Sequence, residues 1–282
     1  MQATIPVRKR PKQTAWGALG LRSIALMYLA FIIVIPLSAV AAEGLTGGLG
    51  GLWRDLNKFG AMDALRLTLW TGAVMTAINV IMGTMTAYAL VRYNFPGKPL
   101  LNAIIDMPVA IPTLVSGVML VILLGPQEAV GRWLGERGIQ IIFNWPAIVL
   151  VLLFITFPLV VRAVQPVLEE LDIDQEEAAY SLGASQWQTF QHVVLPALLP
   201  AVISGGLLTF SRALGEFGSI VVVAGNLPGR TLTAPVHILG EIESGSSRGA
   251  SAMSLLLLTI SFTMIIALDV LQRRHAVRRE KE

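Results

Sequence analysis

At 282 residues with 54% hydrophobic and 14% charged side chains, and a mean hydropathy of +0.68, the chain lies far from the composition of a soluble globular domain. The absence of cysteine excludes a disulfide framework and any thiolate metal site or nucleophile. A net charge of +3 is small, so the placement of charge matters more than its sum. A bilayer core about 30 Å thick takes about 20 apolar helical residues per span. The expectation is therefore an all-α polytopic membrane protein.

Six apolar runs follow in chain order. The first, Ser23 to Ala42, comes after a basic segment with Arg8, Lys9, Arg10, Lys12 and Arg22. It is long for the apolar core of a signal peptide, which takes about 7–15 residues, so it is read as a retained helix. The second, Leu67 to Leu90, ends in "VRYNFPGK", where Pro96 and Gly97 mark a turn. The third, Leu100 to Leu124, contains Asp106, Pro108 and Pro112, which suggests a broken helix. The fourth covers Trp145 to Val161, the fifth starts near Leu195, and the sixth covers Ser251 to Leu271. With all six spanning, 13 of the 21 Lys and Arg residues fall on the side of the N-terminus. That bias places both termini in the cytoplasm. The division expected is a cytoplasmic segment 1–22, a transmembrane domain 23–272, and a cytoplasmic tail 273–282.

Between the fourth and fifth runs lies a polar, amphipathic connection at about 169–194, holding "EEAAYSLGASQWQTFQHVVLP" from Glu176 to Pro196. Asp174 and Glu177 have capping-box spacing, predicting a helix from about Gln175 to Leu182 that stops at Gly183. Ser185 and Gln188 repeat the spacing and predict a second short helix carrying Trp187, Phe190 and Val194 toward Leu195 and Pro196. Local pattern alone is compatible with a capped connector resting on the membrane interface. A connection of about 30 residues is nevertheless longer than a loop requires, and Ala178, Ala179, Tyr180 and Leu182 form a surface suited to a groove on another protein.

At these residues the chain resembles the permease subunits of ATP-binding-cassette importers. Their signature is Glu-Ala-Ala, three residues, Gly, nine residues, a branched apolar residue, any residue, then Leu-Pro. Here it reads Glu177, Ala178, Ala179, Gly183, Val193, Leu195 and Pro196, with valine where isoleucine is commoner. The resemblance implies six transmembrane helices in the type I importer permease fold, with the first short helix a cytoplasmic coupling helix docked on a separate ATPase subunit. The chain holds no phosphate-cradling Gly-x-x-x-x-Gly-Lys-Ser/Thr loop, since Gly97 and Lys98 lack the preceding glycine. The ATPase is thus expected on another chain, and no cofactor is expected on this one.

Within the fifth run, "TFSRALGEFGS" places Arg212 and Glu216 four residues apart, hence on one helix face, beside Ser211. Intramembrane charges cost several kcal/mol by most scales and usually face a bundle interior or a water-filled path. Two readings stand: an internal ion pair that fixes packing, or an anion pathway in which a guanidinium meets a tetrahedral oxyanion. No nucleophile and base occur together, so no catalytic residue is assigned. His192, His237 and His275 are scattered and offer no metal set. Asp269 is placed to reach water or Arg273.

The stretches 91–113, 160–171 and 210–226 are similar to the sulfate/thiosulfate importer permeases, T-type subunit. Molybdate and tungstate permeases share the Phe-Pro-Gly-Lys turn and the Gly-Glu-Phe-Gly segment, and remain the alternative. The resemblance implies a W-type permease partner, two copies of the ATPase, a periplasmic or lipoprotein sulfate-binding protein, sulfate or thiosulfate as cargo, and a bacterial inner membrane. No nucleic-acid partner is expected. An ion-coupled secondary transporter would instead spread acidic or histidine relays over several spans and usually carry a detectable repeat.

Overall fold

The computed structural model describes residues 15–279 except residue 59, with side chains described for 20–58 and 60–270. Arg8, Lys9, Arg10, Lys12 and Lys281, and the Arg273 and His275 side chains, lie outside these. Every regular element described is helical. We number them α1 (Gly20–Gly44), α2 (Gly48–Leu56), α3 (Ala61–Arg92), α4 (Lys98–Ala110), α5 (Thr113–Leu124), α6 (Ala129–Gly135), α7 (Trp145–Glu170), α8 (Ile173–Ser181), α9 (Gln186–Leu214), α10 (Gly218–Val223), α11 (Ala234–Glu243) and α12 (Ser247–Arg279).

Among the described residues five helices are long and apolar enough to cross a membrane, or six if the bent pair α4 and α5 is counted as one span. The third apolar run is thus broken, with 110° between its halves. Pro112 causes the break: it has no N–H, and it holds Ile111 in an extended conformation (φ −84°, ψ 128°). Pro108 lies inside α4 and is buried, so it is not the break itself. At the start of α4, Gly97 adopts φ +87°, completing the Phe-Pro-Gly-Lys turn. Two other spans absorb proline differently. Each widens into a π turn, Ala30–Val34 and Phe190–Val194, which ends two residues before Pro36 and Pro196 respectively. The amides of Ile35 and Leu195 reach back five residues, to the Ala30 and Phe190 carbonyls. The wider turn relieves the clash between a proline ring and the carbonyl four residues before it.

α7 forms the middle of the bundle, packed by α3, α4 and α9. Its buried face is rich in branched residues, including Val151, Val160, Val161 and Val164. Across the α3–α7 seam Asn79 donates to Thr156 Oγ1 at 2.9 Å, and Thr156 donates to the Leu152 carbonyl at 2.7 Å, so both buried side chains are paired. At the far end of α3, Thr68 Oγ1 accepts the Ala234 amide at 2.8 Å, covering a free donor at the start of α11. α5 and α10 approach through Gly117, where a Cβ would meet the Ser219 carbonyl oxygen at 2.7 Å. α1 packs through its second half on α12, and among the described residues none in its most apolar window is buried.

Outside the spans, Asp55 of α2 is 4% exposed and accepts Arg248 Nε at 2.7 Å, with Lys58 Nζ at 3.0 Å. The Arg248 hydrogen bond holds the Asp55 carboxyl below its usual value against the opposing effect of burial. A depressed carboxyl contributes stability above the unfolded-state pKa and loses it as pH falls through the lower, folded value. Thermal unfolding in detergent should therefore show a midpoint that drops as pH is lowered below about 4. Asp55→Asn should lower the neutral-pH midpoint and flatten that dependence; an unchanged pH profile would show that the pair adds nothing. Gly117→Val should lower the same midpoint by the equivalent of about 1–3 kcal/mol of overpacking, and an unaltered midpoint would contradict the close α5–α10 contact.

Candidate functional site

The connection between α7 and α9 folds as a helix, a bend and a second helix, but its caps differ from the expected ones. The N-cap of α8 is Asp172, whose Oδ1 accepts the Asp174 amide at 3.1 Å. Asp174 is inside the first turn with Glu176, where both oppose the positive helix end. The Asp174–Glu177 capping box is not formed. The reason is local: α7 ends at Leu171 in an extended conformation (ψ 118°), so the first side chain able to cap comes two residues earlier than Asp174.

The stop at Gly183 is as expected, with φ +87°. The Gly183 amide donates to the Tyr180 carbonyl at 2.9 Å and the Ala184 amide to that of Ala179 at 3.0 Å, a Schellman pair. The Ser185–Gln188 box is reciprocal: Gln188 N donates to Ser185 Oγ at 3.3 Å and Ser185 N to Gln188 Oε1 at 2.8 Å. The second helix is not short. It runs without interruption from Gln186 to Leu214, because the π turn lets it pass Pro196 into the span. The bend is thereby continuous with a helix long and apolar enough to cross a membrane.

Among the motif residues, Glu177, Ala178, Gly183 and Pro196 are exposed, while Ala179, Val193 and Leu195 are half-buried. Leu182 at 90% exposure and Trp187 at 64% flank Gly183. The bend thus presents apolar side chains that no described residue covers. Its underside is held by groups that sequence reasoning missed. Arg92, at the end of α3, places Nη2 2.6 Å and Nε 2.8 Å from Glu176 Oε1, and donates to the Leu171 carbonyl at 3.3 Å. One turn back, Tyr88 meets the ring of Phe190 edge-on at 5.7 Å, and Phe190 stacks on Trp187. The available signal was a Glu-Glu pair of which the motif uses only Glu177, together with a lone arginine closing an apolar run.

Arg212 and Glu216 do pair, at 3.0 Å between Nη1 and Oε2, yet not on one helix face. α9 ends at Leu214 with Gly215 as its C-cap, and Glu216 lies in the break beyond. Glu216 is 2% exposed, and its other oxygen accepts Ser219 N at 3.1 Å and Ser219 Oγ at 3.0 Å at the start of α10. Its charge is fully answered. Arg212 sits in the last turn of α9, where a cation is favoured, with 44% of its side chain exposed. Ser211 is half-buried beside it. Because Gly218 packs on Thr113 and Gly117 on Ser219, this cluster lies against the second half of the bent span. Asp106 is engaged elsewhere, with Arg162 of α7 at 2.8 and 2.6 Å. His192 Nδ1 contacts the Gln188 carbonyl at 2.9 Å, and His237 is near Glu241; among the described residues no three His, Cys, Asp or Glu side chains group as metal ligands.

Continuous and broken spans around a central helix, with a capped bend exposed between the fourth and fifth, define an importer-permease architecture. The bacterial alginate ABC transporter, solved in complex with its alginate pentasaccharide-bound periplasmic protein, contains a chain with the same fold. Its TM-score is 0.76 at 13% identity, over 92% of this chain and 94% of that one. The chain belongs to the binding-protein-dependent transport system inner membrane component family, whose model matches residues 79–278. It is 39% identical over 249 residues to a probable sulfate transport system permease protein cysT of Chlorokybus atmophyticus, covering 88% of this chain and 87% of the relative. It is also 39% identical over 256 residues to the sulfate transport system permease protein CysW of Synechococcus elongatus (91% and 90%), and 36% identical over 254 residues to CysT of Escherichia coli (90% and 92%).

The left-handed conformation of Gly183 makes a backbone prediction independent of any partner. No atom lies within 4 Å of a Cβ built there, so Gly183→Ala should cost only the left-handed penalty, about 1–2 kcal/mol. Amide exchange at 183 and 184 should accelerate while that of α7 is unchanged; protection equal to the wild type would rule out the motif.

Proposed function

We propose that the chain is a transmembrane permease subunit of an ATP-driven sulfate/thiosulfate importer, of the T type, in a bacterial inner membrane. The observation that carries this reading is the similarity, over roughly nine-tenths of the chain, to relatives named as sulfate transport permeases. In this reading both termini and the 169–194 segment are cytoplasmic, the pathway is built from 23–272, and a W-type permease, two ATPase copies and a sulfate-binding protein complete the assembly. The exposed bend with Glu177, Ala178, Ala179 and Gly183 docks the ATPase. Val193, Leu195 and Pro196 join it to α9.

Arg212 supplies the anion contact. Its charge is partly neutralised by Glu216, which Ser219 holds in place, so Arg212 does not stand as a bare cation. Its half-exposed guanidinium retains donors in the planar arrangement that suits a tetrahedral oxyanion. The residues assigned perform no covalent chemistry: they bind, orient and transmit, and the ATPase on the other chain hydrolyses ATP.

The test is co-purification with the ATPase and partner permease, followed by ATP hydrolysis in the presence of binding protein loaded with sulfate, thiosulfate or molybdate. Sulfate-loaded protein should stimulate hydrolysis; stimulation by molybdate alone would support the molybdate reading. Gly183→Arg should leave the permease in the membrane but release the ATPase, and retained ATPase would argue against docking at the bend. Arg212→Ala should lower sulfate-stimulated turnover about tenfold, the loss of one charge-assisted contact, with the complex intact. Dissociation of the complex would instead make Arg212 a packing residue.

A further inference from the structure

Glu176 is the one buried residue of α8, so a charge rather than an apolar face holds this helix to the bundle. Its partner Arg92 donates Nε–H to Glu176 Oε1, keeps Nη2 at ion-pair distance from the same oxygen, and donates from Nη2 to the carbonyl of Leu171, the C-cap of α7. That carbonyl lies at the negative end of α7, where a cation is favoured. One turn earlier on α3, Tyr88 packs its ring against Phe190, within the opening turns of α9. Two side chains on the last turns of α3 therefore hold the helix before the bend and the helix after it. An ion pair with 12% and 8% side-chain exposure is directional and costly to separate. Apolar packing, by contrast, would let α8 slide.

We infer that Arg92 and Glu176 are positioning residues of the coupling bend, and that with Tyr88 they make α3 the helix that carries displacement of α8 into the bundle. This deepens the coupling role proposed above and rests on it. α3 has 32 residues without an internal break. Its other end is tied by Thr68 to the start of α11, and its middle by Asn79 to α7. A push on α8 therefore reaches the opposite end of the bundle along one continuous element. A second interhelical ion pair, Asp106–Arg162, ties α4 to α7, is 52% and 38% exposed, and does not involve the residues of the bend. It serves as a control of equal chemistry.

The test uses the assembled complex with Arg92→Met/Glu176→Gln, which removes both charges so that neither is left buried and unpaired. Two readouts are taken. The first is the ratio of ligand-stimulated to basal ATP hydrolysis with sulfate-loaded binding protein. The second is the distance distribution between spin labels on Asn94→Cys and Ser181→Cys, both exposed positions in a chain with no other cysteine. The double variant should retain the ATPase while the ratio falls about tenfold, an ordinary magnitude for a lost coupling energy, and the label distribution should broaden. Asp106→Asn/Arg162→Met should keep the wild-type ratio. A double variant with the wild-type ratio overturns the inference, as does one that loses the ATPase, which would make the pair a docking element instead. If the wild-type complex itself shows no stimulation, the proposed function fails. The label distances then decide alone: broadening supports the clamp, and an unchanged distribution overturns it.

Discussion

The burial of α7 is the constraint on which the remaining structure depends. In its most apolar window 61% of residues are buried, against 39% for α9, 33% for α3, 17% for α12 and none for α1. A helix enclosed this far in a membrane gains little from the hydrophobic effect, since lipid is as apolar as its neighbours, and must be held by close packing and a few polar contacts. Small residues supply the close approach: a Cβ on Gly83 of α3 would lie 2.8 Å from Val160, and one on Gly205 of α9 would lie 3.0 Å from Ala163. Asn79 and Thr156 add the polar contact. With α7 fixed, α3 and α9 are set against it on neighbouring faces, and the chain leaving α7 at Leu171 must turn between their ends.

Each irregularity elsewhere is placed where something satisfies it. The break at Pro112 is packed by α10 through Gly117 and Gly218, and the break after Leu214 is occupied by Glu216, whose carboxylate bonds Arg212 on one side and Ser219 on the other. Irregular backbone at membrane depth is tolerated only when covered in this way or open to water. The two breaks lie side by side. Arg212, exposed on one flank of that junction, is thus held by geometry that a regular pair of helices could not provide.

Much of this was legible in the sequence, for reasons of range. The six apolar runs follow from bilayer thickness, and Gly183 and the Ser185–Gln188 box follow from contacts within four residues. The break in the third run was readable from Pro112. What failed was competition between equivalent local signals, and contact at long range. Asp172 takes the cap that Asp174 was expected to provide, because the preceding turn ends early. The four-residue spacing of Arg212 and Glu216 read as one helix face, but Gly215 stops the helix between them. Arg92 and Glu176 are 84 positions apart, and no periodicity announces such a pair. The motif drew attention to Glu177, which faces outward, while its neighbour Glu176 holds the helix in place.

In the function proposed above, the site is mechanical at one end and electrostatic at the other. At the bend Leu182 and Trp187 are exposed, and α9 runs from Gln186 without a break past Arg212. In the function proposed above, displacement of the bend reaches the charged junction along α9, whose rise from Gln186 to Arg212 is about 39 Å. In the proposed function the energy for this displacement comes from ATP on another subunit rather than from an ion gradient. Uptake of labelled sulfate into sealed vesicles holding the complex, with ATP inside and a protonophore present, separates the two. Uptake should need internal ATP and survive collapse of the proton gradient. Uptake driven by an ion gradient with no ATPase subunit present would contradict the proposed function.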